Sequence, residues 1–230
     1  MKKIAILQSN YIPWKGVFDM INQVDTFVFF EDVDYTTRDW RTRNKIKTND
    51  GSKWLTIPVK KKPRGTKIFE IEISNDGKWQ KKHKSTIAQC YAKAPYYKDF
   101  KWILDEIYDR EWISLSDFNI YVTKMLCDVL GIKCEFLNSR YIDSSGRKDD
   151  KIIDICKSLN ATHYLSGPAA KDYIDVNKFN DENIVLSYMD YSCYCEYTQV
   201  HEGFDHFVTI LDVIFNCGPN SMKYIVGRCK

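Results

Sequence analysis

The first thirty residues alternate between continuous apolar runs and an amphipathic stretch. Lys3 to Leu7 is a short apolar run, followed by the turn-rich Ser9-Asn10-Tyr11-Ile12-Pro13-Trp14-Lys15-Gly16 and then by Val17, Met20, Ile21 and Val24 at helical spacing. Thr26 to Phe30 is again continuously apolar, the pattern of a strand covered on both faces, so the opening predicts a parallel βαβ unit. Its end is marked by Glu31-Asp32.

Residues 35–74 change character. Lys53 to Val59 and Lys67 to Ile73 are strand-like, and Asn49-Asp50-Gly51 is a turn signal, which predicts a β-rich insertion. Lys78 to Ala92 reads as a helix with Trp79, His83, Ile87, Cys90 and Tyr91 on one face. Phe100–Tyr108 and Phe118–Leu130 follow with helical spacing, the second closing at Gly131. The βα alternation then resumes: a strand at Cys134–Leu137, a helix at Asp149–Leu159, a strand at His163–Leu165 running into Ser166-Gly167-Pro168, and a short helix near Ala170–Tyr173. An extended run at Ile184–Tyr188 and a helix over Phe204–Asn216, stopped by Gly218-Pro219, complete the chain. The expected fold class is α/β, a mostly parallel Rossmann-like sheet with a β-rich plus helical insertion at about residues 35–130.

Composition narrows the class. With 230 residues, 44% of them hydrophobic, 14% aromatic, and only 10 Gly and 6 Pro, the chain can bury a core and is neither disordered nor collagen-like. The eight cysteines (Cys90, Cys127, Cys134, Cys156, Cys193, Cys195, Cys217, Cys229) are scattered, which fits reduced cytosolic thiols better than a disulfide framework. The basic start Met1-Lys2-Lys3 before Ile4 imitates a signal peptide, but the apolar run stops at Gln8, and no run reaches the length of a membrane span. A cytoplasmic protein is expected.

Charge is uneven. Residues 36–101 hold 18 Lys and Arg against six acids, whereas the whole chain nets +3, so the rest of the chain is acidic. Such a field suits a phosphate-bearing or acidic partner. No zinc finger or RNA-recognition pattern accompanies it, so nucleic acid is not favoured as a partner.

In open parallel sheets ligands sit outside the carboxyl ends of the strands. That rule selects Gln8 and Asn10 after the first strand, Asp32 and Asp34 after the second, and Ser166 and Gly167 after a later one. His83, inward on its helix, is a general base or a hydrogen-bonded core residue. Asp212 interrupts an apolar helix and needs a partner, as part of a site or as a structural lock. Cys193-x-Cys195 with His201 and His206 lacks the usual zinc spacing, and no Walker or Gly-x-Gly-x-x-Gly loop is present. No metal and no cofactor are expected.

Several blocks together resemble the WbqC-like protein family: Ile6 to Ile21, Asp25 to Val33, Arg41 to Lys47, Trp54 to Val59, Tyr91 to Tyr96, Tyr164 to Gly167 and Ile210 to Asn216. The resemblance spans nearly the whole chain and implies a single α/β domain over residues 1–230. Ser9, where the family pattern has proline, and Trp14-Lys15 depart from it. The family is associated with bacterial surface-polysaccharide (O-antigen) genes, so the resemblance implies a transferase that adds a glycyl or other acyl group to a nucleotide-linked amino sugar, with an acyl or aminoacyl carrier protein as a donor partner.

Such a reaction needs an anion site, a base and oxyanion donors. On this reading His83 and Asp32 are the catalytic candidates. Gln8, Asn10, Trp14, Arg41, Arg43, Asn44, Lys45, Ser166, Gly167, Tyr173 and Asp212 are the substrate-binding candidates, with the three cations available for a diphosphate or an acidic carrier protein and Ser166 for the oxyanion. Nucleotidyl transfer is the weaker enzyme reading, since no histidine precedes His83. A non-catalytic nucleotide-sugar or carrier-protein binding module is the other alternative.

Overall fold

The computed structural model describes residues 1–227. Strand β1 (Lys3–Leu7), helix α1 (Lys15–Asn22) and strand β2 (Thr26–Phe29) form the expected opening unit. The chain then leaves the sheet for about a hundred residues: the hairpin β3 (Arg43–Thr48) and β4 (Gly51–Thr56), then helices α2 (Trp79–Tyr91), α3 (Tyr97–Phe100), α4 (Trp102–Tyr108) and α5 (Leu115–Leu130). It returns as β5 (Glu135–Asn138), α6 (Asp149–Ser158), β6 (His163–Ser166), α7 (Val176–Asp181) and β7 (Val185–Tyr188). After residues 189–209, helix α8 (Ile210–Cys217) packs against α3 and helix α9 (Ser221–Val226) against α1.

The five strands lie in the order β5-β2-β1-β6-β7, and every neighbouring pair is parallel. Counted along the chain this is third, second, first, fourth, fifth, the Rossmann-like order that reverses between its first and fourth strands. Both faces of the sheet are covered. Ile4, Ile6 and Val28 pack with Ile155 of α6 and Phe179 of α7, while Ala5, Phe27 and Phe29 pack with Phe18 of α1 and Phe215 of α8. The two-residue period of a strand therefore turns one apolar run into two separate cores, which is why β1 and β2 carry no polar alternation.

Several local expectations are corrected. Lys67–Ile73 is not a strand: Ile68–Glu70 forms a 3-10 turn closed by the Glu70 carboxylate, which accepts the Lys67 N–H at 2.8 Å, and only isolated bridges join Asp34 to Lys67 and Val59 to Ile73. The strand expected over Lys53–Val59 is β4, which begins earlier and ends at Thr56, two residues before Pro58. Its partner β3 went unread because Arg43, Lys45 and Lys47 mask the buried Asn44 and Ile46. The last long helix starts at Ile210 rather than Phe204, because the Asp205 carboxylate accepts the Phe207 N–H and holds a turn there. Helix α5 does end on Gly131, whose φ of 70° suits a residue without Cβ. Cys90, Cys127, Cys134, Cys156, Cys193 and Cys217 carry free thiols, but Cys195 is disulfide-bonded; Cys229 lies outside the described residues.

The segment between β2 and β5 is tied to the loop after β1 by buried polar contacts. The Tyr11 hydroxyl meets His83 Nδ1 at 2.8 Å and the Tyr108 hydroxyl, and Trp79 packs edge-on against His83. Burial, helped by the Lys82 charge, lowers the His83 pKa to about 4, so the ring is neutral at pH 7. It therefore accepts from Tyr11 at Nδ1, Tyr11 accepts from Tyr108, and the other ring nitrogen remains to bond the Thr56 backbone.

This gives a stability prediction. An unfolded histidine titrates near pH 6.5, so folding is most favoured above that value and loses about 3 kcal/mol as pH falls from 6.5 toward 4, where the native ring begins to protonate. His83→Gln removes this titration. In urea unfolding the variant is expected to be less stable than the parent at pH 7.5 and to close that gap by pH 4.5; a gap independent of pH would refute the assignment.

Candidate functional site

The loop from Gln8 to Trp14 leaves β1 at the point where the strand order reverses, and its shape is imposed by its surroundings. Ile12 has φ 38°, in the left-handed region that a β-branched residue enters only under constraint. The constraint is Asn44, which is buried and donates from Nδ2 to the Tyr11 and Ile12 carbonyls at 3.2 and 2.8 Å. The Tyr11 N–H donates to the Trp40 carbonyl at 2.9 Å, and the Ile210 N–H at the start of α8 donates to the Pro13 carbonyl at 2.8 Å.

On the other side of the loop stands Glu31, fully buried just after β2. Its carboxylate accepts the Ser9 N–H at 2.9 Å and the Ser9 hydroxyl at 3.1 Å. Burial pushes its pKa up, while hydrogen bonds from Ser116 and Ser9 and the Arg41 charge favour the ionised form. Asn119 adds a bond to the Arg41 carbonyl at 2.9 Å. Ser9 thus supplies both the N–H and the hydroxyl that Glu31 accepts. Proline would supply neither.

A cavity of about 490 Å³ opens outside the carboxyl ends of β1 and β6. Open parallel sheets place ligands at this point because the loops of the two strands diverge there. Gln8 and Asn10 enter it from the first loop, Ser166 and Gly167 from the end of β6, and Asn44 from the hairpin. Trp14, Trp40, Tyr173, Tyr191 and Phe207 give it an aromatic wall. The Trp14 indole meets Tyr191 edge-on at 4.9 Å and Phe207 at 5.2 Å. No Lys, Arg, Asp, Glu or His lines it among the described residues. The Gln8 and Asn10 side chains make no hydrogen bond within the described chain, so both carboxamides keep their full capacity for a ligand.

Of the residues selected from sequence, Gln8, Asn10, Trp14, Asn44, Ser166, Gly167 and Tyr173 converge on this cavity. The others stand outside its lining. His83 is in the cluster beneath Tyr11. Asp32 is bound by Lys151 and the Ser139 hydroxyl; partial burial pushes its pKa up, but these two partners outweigh it and leave the carboxyl below its usual range. Asp34 pairs with Lys67 at 2.7 Å. Asp212 is fully buried and accepts from Tyr197, Tyr91 and Gln199 at 2.7, 2.8 and 2.9 Å, joining α8 to α2 and to residues 197–199. Burial raises its pKa, and those three donors oppose the rise. Arg41 pairs with Asp39 at 2.7 Å, while Arg43 and Lys45 lie over Trp54 on the outer face of the hairpin.

Sequence reading missed Glu31, Trp40, Tyr191 and Phe207. Glu31 carried a signal, a carboxylate directly after a doubly covered strand; the three aromatic residues sit in irregular segments with no periodicity to mark them.

Comparison with known proteins agrees with the pattern of blocks in the sequence. The WbqC-like protein family matches residues 8–224. The chain is similar to "Uncharacterized protein Rv1507c" of Mycobacterium tuberculosis, with 36% identity over 226 residues that cover 98% of each chain. No solved structure matches. A match that begins at the cavity residue Gln8 and runs through both the sheet and the segment between β2 and β5 places the whole architecture in one family: the chain belongs to the WbqC-like proteins.

Proposed function

We propose that the protein transfers a glycyl or other acyl group to the amino group of a nucleotide-linked amino sugar during bacterial surface-polysaccharide (O-antigen) assembly. The observation that supports this most is the pairing of two unengaged carboxamides, Gln8 and Asn10, with an aromatic wall in the cavity where the strand order reverses. Aromatic faces and amides are the usual partners of a sugar ring and its polar substituents.

The chemistry follows from the lack of charge. An ammonium brought into a cavity lined mainly by apolar side chains loses hydration and shifts toward the neutral amine, which is the nucleophile. Its nitrogen attacks the carbonyl carbon of an acyl or aminoacyl thioester carried by coenzyme A or a carrier protein. The developing oxyanion accepts hydrogen bonds from the Gln8 and Asn10 amides and the Ser166 hydroxyl. Collapse breaks the carbon–sulfur bond, and the proton lost by the amine leaves on the thiol.

The same lack of charge supports a second reading. With no imidazole or carboxylate in its lining among the described residues, the cavity also suits a module that holds a nucleotide-sugar without altering it.

Incubation of purified protein with paired nucleotide-linked amino sugars and acyl thioesters, including a glycyl thioester, followed by mass spectrometry of the sugar, separates the two. A mass gain equal to the acyl group is expected; thermal stabilisation by a nucleotide-sugar with no mass gain from any pair would replace the transferase with the binding module. Asn10→Ala and Gln8→Ala are each expected to lower kcat by about 100-fold while leaving thermal unfolding unchanged.

His83→Gln gives a further test. With His83 outside the cavity, kcat/KM of the folded variant is expected to stay within about threefold of the parent, whereas a loss of about 100-fold or more would return the base role to this residue.

A further inference from the structure

In sheets of this strand order the diphosphate of a nucleotide ordinarily rests on free N–H groups at the start of the helix after the first strand, reached across a glycine-rich turn. Here there is no glycine-rich turn, and an aromatic side chain crowds the first turn of the helix. The Trp14 indole lies on Gly16 in the first turn of α1, so closely that a Cβ on Gly16 would fall 2.2 Å from the ring. Pro13 offers no N–H, and Lys15, the first helical residue, is buried. A phosphate-bearing ligand in this cavity needs its anion site elsewhere.

The outer face of the β3–β4 hairpin meets that need. Ladder register sets Lys45 opposite Trp54 and Arg43 opposite Thr56, while the alternate residues Asn44 and Ile46 face inward. The Arg43 guanidinium lies 4.4 Å above the Trp54 ring and the Lys45 ammonium 5.3 Å from it. Trp54 in turn packs at 5.3 Å on Trp40, which lines the cavity yet remains 45% exposed. Arg43 Nε is buried with no hydrogen-bond partner, and neither Arg43 nor Lys45 has an ion-pair partner within 4 Å among the described residues, in contrast to Arg41 on Asp39. A guanidinium stacked on an indole keeps its N–H edges free for phosphate oxygens.

We propose that this hairpin face is the diphosphate subsite of the cavity. A nucleoside diphosphate places its phosphates on Arg43 and Lys45 and its base against the Trp40–Trp54 pair, and the sugar it carries enters beside Gln8 and Asn10. The inference rests on the reading of the cavity as a nucleotide-sugar site and deepens it by assigning the nucleotide half to the segment between β2 and β5 rather than to the first helix.

The test is calorimetric titration of the purified chain with UDP, dTDP, CDP and GDP. At least one is expected to bind. Removing both cations in Arg43→Ala/Lys45→Ala is expected to weaken it by about tenfold or more, and Trp40→Ala by about tenfold. Lys98→Ala/Lys101→Ala removes equal charge from the same basic segment and is expected to leave affinity within about twofold.

Arg43→Lys, which keeps the charge and the hairpin but loses the planar fork, is expected to give an intermediate loss even if the double variant unfolds. Failure of all four nucleotides to bind, or equal losses in the hairpin and control variants, overturns the subsite. So does capture of an acidic carrier protein by the hairpin without nucleotide binding. Nucleotide binding that depends on Arg43 and Lys45 without acyl transfer keeps the subsite and refutes the transferase. Acyl transfer to an amino sugar lacking a nucleotide, unaffected by the hairpin variants, does the reverse.

Discussion

The loop between β1 and α1 has almost no freedom of its own, and the rest of the site depends on that. Glu31 holds Ser9 from one side, Asn44 holds the Tyr11 and Ile12 carbonyls from another, and His83 with Tyr108 holds the Tyr11 hydroxyl from below. Each holder is a buried polar group that would be costly alone, and each is offset by the bonds it makes to the loop. Ile12 sits in the left-handed region with its carbonyl held directly by Asn44. A loop fixed in this way can present Gln8 and Asn10 to a ligand without first being ordered by it, which is the structural form of preorganisation.

The long segment between β2 and β5 is therefore part of the site. It provides Asn44 and His83 to the loop and Trp40 to the cavity wall, and it sets Arg43 and Lys45 next to that wall on the opposite face of the same strand. The alternation of β3 separates two environments within one residue: an inner face where Asn44 clamps backbone and an outer face where the half-buried Arg43 and Lys45 lie against Trp54. Among the described residues no charged side chain lines the cavity, while Arg43 and Lys45 lie on Trp54, which packs on the cavity residue Trp40. That division matches the ligand proposed above, with its uncharged reacting end and anionic remainder.

The carboxylates divide in a similar way. Asp212, Asp32 and Glu31 all follow or interrupt apolar runs, and all three are engaged by donors from distant elements. Their bonds join α8 to α2, β2 to α6, and β2 to the first loop. An acid in an apolar context signals a partner, and here the partner is in each case another part of the fold rather than open space in the cavity.

Hydrophobic pattern alone determined much of this protein. The runs at Lys3–Leu7, Thr26–Phe30 and His163–Leu165 could bury both faces only inside a parallel sheet, and that sheet with its carboxyl-end rule pointed to Gln8, Asn10, Ser166 and Gly167, which line the cavity, and to Asp32 and Asp34, which pair with lysines outside it. Gly131 as a helix end was equally legible, since the residue that can adopt the left-handed geometry stands where the periodicity stops. The sequence could not separate His83 as a base from His83 as a core residue, because both need an inward face and differ only in what lies across from it. Nor could it show that the Trp14 indole lies on Gly16 in the first turn of α1, or that Trp40, Tyr191 and Phe207 meet around one cavity. Those residues lie in irregular segments far apart in the chain, and what brings them together is long-range packing and hydrogen bonding, which leaves no period in the sequence.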